Sequence, residues 1–150
     1  MAPPEEIRRL ECFLGSWRAE GESKPSAPIP GPLTAADTYE WFPGGHFLVD
    51  QGELHVIGHP RTPHLWVFGY DPERAVYPIH AFDADGHFRQ YEATVHDRIW
   101  AITGQWERGT LEFDARGDRY TARWEFTKDG KTWLPLCEMA ARRVAAPRRG

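Results

Sequence analysis

Hydrophobic and polar residues alternate along most of the chain after residue 37, with the two-residue period of half-buried strands. These segments recur at intervals of about 8–12 residues and are separated by turn residues such as Asp85-Gly86 and Asp129-Gly130. The pattern predicts strands near 16–22, 37–42, 46–56, 65–70, 76–83, 87–96, 99–106, 110–115, 119–127 and 132–141.

The beginning of the chain follows a different pattern. Pro3 and Pro4 suit a helix start, and apolar residues recur at helical spacing from Ile7 to Leu14. We predict a short helix over about 4–14 that stops at Gly15. The stretch 23–34 contains four prolines, which are too many for a central strand, so it is predicted to be a long loop.

The gaps between the predicted strands determine the topology. No gap after residue 37 is long enough for a crossover helix, so consecutive strands should pair antiparallel. Ten such strands avoid exposed edges by closing on themselves. We therefore predict an all-β fold, a closed up-and-down antiparallel barrel of about ten strands. It forms one domain over 1–150, with the helix covering one end and a flexible tail over about 143–150.

The alternation also predicts which side chains face the interior. Trp124 and Phe126 share one face of their strand, and Trp100 and Trp106 share one face of theirs. Buried rings remove roughly 150–250 Å² each from water, which is enough to form the core of a small barrel without any ligand. Arranged around a gap, the same rings would line a pocket, and ten strands enclose more space than eight. Both alternatives stay open. Trp17 is expected to pack where the first strand meets the helix.

Composition and charge exclude several classes of protein. The 150 residues are 41% hydrophobic and 27% charged, which is globular, and no apolar run approaches the roughly 18 residues of a membrane span. The N-terminus lacks a secretory pattern, which favours a cytoplasmic location. The net charge of -4 without a basic stripe disfavours nucleic acid. Cys12 and Cys137 are predicted to be buried free thiols.

Three histidines, His55, His59 and His64, lie close together in the sequence. They occupy a stretch with prolines and without a neighbouring carboxylate or cysteine, so we predict no metal site there. Nucleotide-binding loops and the serine-nucleophile motif are absent from the sequence as well.

His80 is the more interesting histidine because it lies in the middle of a predicted strand. A tight Asp85-Gly86 turn would place it almost opposite Tyr91, with Glu92 nearby. Such a group inside an apolar barrel can orient a ligand, or act as acid and base if burial shifts its pKa. A histidine with an ordinary structural role at the core or rim is the alternative.

Three segments carry a resemblance to a known family. They are Leu10–Gly21 with its Gly15-Ser16-Trp17 entry, Glu40–Leu48, and His80–Gly86. Together the chain resembles an uncharacterised bacterial family of calycin-like barrels, related in shape to lipocalins, fatty-acid-binding proteins and nitrobindins. The resemblance implies an internal ligand cavity. Nitrobindin-like proteins hold haem through a late histidine, whereas no histidine follows His96 here.

These observations lead to one main functional hypothesis and two alternatives. The main one is binding of a small hydrophobic or aromatic molecule inside the barrel, without cofactor or metal. One alternative is a cofactor-independent isomerase or cyclase that uses His80 with Tyr91 or Glu92, since bacterial barrels of this shape also serve as such enzymes. The other is haem binding through an earlier histidine. A homodimer is left open. The expected ligand-binding residues are Trp41, His80, Tyr91, Trp106, Trp124 and Phe126.

Overall fold

A computed structural model describes residues 2–145 and shows a closed barrel of ten antiparallel strands. A 3-10 helix, Glu5–Phe13, precedes the barrel. The strands are β1 (Gly15–Ser23), β2 (Gly31–Trp41), β3 (Leu48–Val56), β4 (Thr62–Phe68), β5 (Tyr77–Asp83), β6 (Phe88–His96), β7 (Ile99–Gly104), β8 (Glu107–Phe113), β9 (Arg119–Thr127) and β10 (Trp133–Val144).

Each strand pairs with the next one along the chain, and β1 pairs with β10 to close the sheet. At this closure Trp17 lies opposite Arg143. Because every strand has two neighbours, the barrel has no unpaired edge. The predicted fold class, a ten-strand up-and-down barrel with a short N-terminal helix, is confirmed.

One predicted boundary in the first part of the chain is wrong, whereas the helix predicted over about 4–14 is present. β2 begins at Gly31 rather than near residue 37, so the proline-rich loop is much shorter than expected. Pro32 is tolerated because it lies at the start of the strand, where its carbonyl still accepts a hydrogen bond from the Ile57 N–H at 2.9 Å. The helix is a 3-10 helix, closed at its end by an i to i+3 bond from the Leu14 N–H to the Glu11 carbonyl at 3.1 Å.

The predicted tail also differs. β10 continues to Val144, so 143 and 144 belong to the barrel, while 146–150 lie outside the described residues. The Arg143 guanidinium lies 4.3 Å from the centre of the Trp17 ring and donates hydrogen bonds to the carbonyls of Cys12 and Leu14. These contacts fasten the last strand to the end of the helix. No helix within residues 2–145 is long and apolar enough to span a membrane.

The helix fills one end of the barrel with buried side chains. Ile7, Leu10 and Phe13 are its buried residues, and Phe13 is fully inaccessible to solvent. The Trp17 indole N–H donates to the Phe13 carbonyl at 2.8 Å, which confirms the predicted packing of Trp17 against the helix. The Phe13 ring contacts four others at centroid distances of 5.2–5.5 Å: Tyr39, Phe68, Trp100 and Phe113.

Candidate functional site

Above this aromatic layer the barrel contains a partly open cavity of about 180 Å³. Phe13 lies at its closed end, and Leu54 and Leu136 lie near the opposite end of the barrel. An apolar cavity of about 150 Å³ is known to hold one benzene molecule, while drug-sized ligands occupy about 300–1,000 Å³. The space therefore matches a single ring. The remaining lining residues are Ala35, Asp37, Tyr39, Asp50, His64, Trp66, Phe68, Ile102, Glu107, Leu111, Tyr120, Ala122, Trp124, Cys137 and Met139.

The two alternatives for the interior, filled or open, hold for different parts of the barrel. The half of the barrel next to the helix is filled by aromatic rings, and the cavity lies in the other half. The predicted inward parity is confirmed for Trp100 and Phe126, which are buried. It is wrong for Trp106, which is 45% exposed because β7 ends at Gly104 and the chain turns there.

A cluster of three ionisable side chains lies in the cavity wall. Asp37, Asp50 and His64 come from the adjacent strands β2, β3 and β4. The His64 Nε2 atom is 2.7 Å from Asp37 Oδ1 and 3.5 Å from Asp50 Oδ2. A Cβ atom at Gly52, the residue between them on β3, would lie 2.4 Å from Asp37 Oδ1 and 2.9 Å from His64 Nε2. Because glycine has no Cβ, this position provides the room that the three side chains need to converge.

Burial and mutual interaction shift the pKa values of the cluster. Burial raises the pKa of Asp50 well above its usual range, and the charge of Asp37 raises it further. Burial lowers the pKa of His64, but its contacts with Asp37 and Asp50 outweigh this and raise it to about 10. The phenol pKa of Tyr39 is also raised, first by burial and then by Asp50. Burial therefore dominates at Asp50 and Tyr39, whereas the two carboxyl groups dominate at His64.

One atom of the cluster lacks a partner. Asp50 is 3% exposed, and its Oδ1 is a fully buried oxygen without a hydrogen-bond partner among residues 2–145. Buried polar atoms without a partner are rare because each costs about 1–3 kcal/mol. Asp50 is among the residues that line the cavity.

Aromatic rings continue the cavity wall beside this cluster, beginning with Trp66, which pairs with Asp50 across β3 and β4. The Trp66 and Tyr91 rings stack with centroids 5.1 Å apart and an interplanar angle of 16°. Trp124 meets Trp66 edge-on at 6.0 Å. The Tyr91 hydroxyl lies 3.5 Å from Glu107, and burial raises the pKa of this phenol above its usual value. A Cβ atom on Gly109 would come within 2.5 Å of the Trp124 ring, so the glycine lets the indole lie flat on β8.

The predicted His80–Tyr91 pair is not formed. His80 lies opposite Gln90, is exposed, and stacks on Phe88 with centroids 6.2 Å apart. Tyr91 lies opposite Ile79 and points inward. The prediction assumed a two-residue turn, but Phe82 pairs with Phe88, and the Asp83 N–H bonds to the His87 carbonyl across a three-residue loop. One residue of register moves a side chain to the other face.

Of the other predicted site residues, one lines the cavity and the rest do not. Glu92 faces outward and forms an ion pair with Arg74 on the surface, so it lies away from Tyr91. Trp124 is part of the cavity wall. Trp41 is half-buried against the core, Phe126 is buried, and neither is among the lining residues.

The sequence analysis did not predict this cluster. His64 was placed in a loop without carboxylates, yet β4 already begins at Thr62 and brings His64 beside two carboxylates from neighbouring strands. The available signal was parity. Asp37 shares its strand face with the buried Ala35 and Tyr39, and an aspartate at such a position is unusual.

The closed ten-strand barrel and its helical plug define the class of the fold, a calycin-like barrel. Two solved structures share it. The crystal structure of Rv2717c from M. tuberculosis superposes with a TM-score of 0.67 at 12% identity, covering 95% of this chain and 99% of that one. The S-type phycobiliprotein lyase CPES from Guillardia theta superposes with a TM-score of 0.54 at 16% identity, covering 93% of each chain. At these identities the likeness is one of fold. No family model matches the chain, and no curated protein matches it in sequence.

Proposed function

We propose that the protein binds a small molecule of about one ring, apolar over most of its surface and polar at one end. The observation that carries this proposal is the unpartnered Asp50 Oδ1 in the wall of a largely apolar cavity. Ligand sites typically combine an apolar lining with a few polar groups that fix orientation. One neighbour of the same fold is named a lyase of phycobiliproteins, which is compatible with a barrel that receives small molecules.

The shape of the cavity suggests how the ligand lies. Its ring would contact the indoles of Trp66 and Trp124, whose perpendicular arrangement offers a face and an edge. Its polar group would point to Asp50, which lies beside Trp66 as its partner across β3 and β4. A hydrogen bond to Oδ1 would remove the cost of an unpartnered buried oxygen.

Two alternative functions, an acid–base enzyme that uses His80 and a haem protein, are less well supported by the arrangement of the residues. His80 and Glu92 face outward, so they do not form an acid–base pair within the cavity. Haem binding has less support than the binding of a single ring. His64 is the histidine in the cavity lining, its Nε2 is engaged by Asp37, and about 180 Å³ falls below even the pockets of drug-sized ligands.

Tryptophan fluorescence and isothermal titration calorimetry test the proposal, with phenol, indole and toluene as probes. We expect each probe to change the emission of the wild type, since two indoles line the cavity. Ala122→Leu should abolish binding because the buried Ala122 methyl lines the cavity and a larger side chain would occupy it. Ala140→Leu is the matched control, since Ala140 lies on the neighbouring strand and is exposed.

The pair of phenol and toluene isolates the polar end. Both are single rings of similar size, but phenol offers a hydroxyl to Asp50. We expect phenol to bind about tenfold more tightly or better, which corresponds to one buried hydrogen bond. If no probe changes fluorescence or melting temperature, or if Ala122→Leu binds as the wild type does, the proposal fails. Equal affinities for phenol and toluene would refute the role of Asp50 alone.

A further inference from the structure

We propose that Asp37, Asp50 and His64 bind one divalent transition-metal ion of the zinc class in the wall of the barrel cavity. This inference goes beyond the proposed binding of a ring-shaped molecule and does not depend on it.

The convergence of the three side chains is the first argument. One ligand atom from each of them lies within 4.8 Å of the other two. Both carboxylates approach the same nitrogen, His64 Nε2, at 2.7 and 3.5 Å. Ligands held about 2.0–2.2 Å from a tetrahedral zinc are about 3.3 Å from one another, so a small outward movement of Asp37 suffices. One imidazole and two carboxylates form a donor set that suits zinc and its neighbours in the first transition row.

The unpartnered oxygen of Asp50 is an independent argument. An Asp–His hydrogen bond accounts for the contact between Asp37 and His64, but it leaves Asp50 Oδ1 without a partner at 3% residue exposure. Asp50 Oδ2 is the oxygen that faces His64, so a metal ion held by both oxygens of Asp50 would give Oδ1 a partner. Gly52 contributes as well, because any side chain there would run into both Asp37 Oδ1 and His64 Nε2.

Charge balance is the third argument. Two carboxylates lie side by side in a wall whose other residues are mostly apolar, and a single imidazole faces them. Adjacent buried carboxylates repel each other unless a cation or proton lies between them. A divalent ion would compensate both. With three protein ligands it would keep at least one coordination position open, as catalytic zinc sites do, and all three ligands line the cavity.

The structure also provides a matched control. Asp83, Asp85 and His87 form a second group with suitable spacing, in the exposed β5–β6 turn. The Asp83 carboxylate already accepts hydrogen bonds from the backbone N–H groups of Asp85 and His87, and its second oxygen contacts His87 Nδ1 at 2.9 Å. These contacts explain the arrangement as an ordinary turn, so we expect no comparable affinity there.

A Co²⁺ titration followed by visible absorption and calorimetry tests the proposal. We expect one Co²⁺ per chain, d–d bands of a four- or five-coordinate ion, and displacement by Zn²⁺. Asp50→Asn and His64→Gln should each weaken binding by about 100-fold or more, since even residues that only support a metal ligand cost 10–100-fold. Asp83→Asn and His87→Gln should bind as the wild type does.

A second measurement locates the ion without relying on variants that alter the barrel wall. The Trp66 ring lies 6.4 Å from the His64 ring, so bound Co²⁺ should broaden the Trp66 indole N–H signal in NMR spectra of the wild type. The proposal is overturned if the wild type shows no saturable binding. It is also overturned if His87→Gln, rather than His64→Gln, removes binding, or if Co²⁺ broadens signals of the β5–β6 turn and leaves Trp66 unchanged. Phenol binding without Co²⁺ binding would overturn this inference and leave the proposed function intact.

Discussion

Replacing Phe13 by alanine tests whether the helix is a structural part of the barrel. Phe13 is completely buried and its ring contacts those of Tyr39, Phe68, Trp100 and Phe113. Truncating a buried phenylalanine costs about 3–5 kcal/mol through lost transfer energy and the remaining void. Domains are typically stable by about 5–15 kcal/mol, so the loss is a large fraction of the total. For a domain of this length we expect the melting temperature to fall by about 6–20 °C.

Urea denaturation followed by circular dichroism measures this change, with Phe42→Ala as the control. The Phe42 side chain is 57% exposed, so its truncation should change the free energy of unfolding by less than about 0.5 kcal/mol. Because Phe13 lies at the closed end of the cavity, its removal should also enlarge the space available to toluene. Saturating toluene should then restore part of the lost stability, about 2.7 kcal/mol at 100 times its Kd. A loss below about 1 kcal/mol would show that the aromatic layer is stable without its central ring.

Three further changes test other parts of the molecule. Gly109→Ala would place a Cβ atom 2.5 Å from the Trp124 ring, so we expect a loss of about 1–3 kcal/mol in urea denaturation and a shifted tryptophan emission; unchanged emission would contradict the contact. Burial raises the pKa of the Cys137 thiol to about 12, so it should resist iodoacetamide at pH 8 in the folded protein and react once the protein is unfolded; rapid alkylation of the native state would argue against its burial. The backbone N–H of Thr132 and its neighbours lower the pKa of Asp129 from 3.8 to about 2, so the carboxylate stabilises the folded state above about pH 4 and this contribution disappears as the pH falls through 2. Asp129→Ala should therefore melt at a lower temperature than the wild type at pH 7 and converge with it in acid, whereas a constant difference would show that the charge is not responsible.

Much of the fold is encoded in local patterns that a sequence reader can use. From β5 onward, strict alternation and turn residues place each strand within about three residues of its observed start, and the short gaps between strands dictate antiparallel neighbours. β2 was placed too late because prolines were counted without regard to position. Pro32 costs the strand little because it lies at the strand's second residue, where its carbonyl still accepts from the Ile57 N–H.

The candidate site was harder to predict because it depends on pairing between strands. His80 and Tyr91 were assigned to one face of the sheet because the predicted turn was one residue shorter than the observed one. An error of one residue moves every side chain of a strand from the inner face of the barrel to the outer face, or the reverse. The Asp37–Asp50–His64 cluster combines single residues from three strands. Only the relative register of β2, β3 and β4 brings them together, and no spacing along the chain reveals it.

The closure between β1 and β10 has a consequence for how the chain folds. Nine of the ten strand pairings join consecutive strands and can form as hairpins, but this one joins opposite ends of the described chain. During synthesis one hydrogen-bonding edge of β1 is unpaired until β10 has emerged from the ribosome. Unpaired edges promote association with other chains. Contacts between distant segments are also slow to form. The hydrogen bonds of Arg143 to Cys12 and Leu14 lie at one end of the β1–β10 pairing. They therefore form when β10 pairs with β1 and covers its open edge.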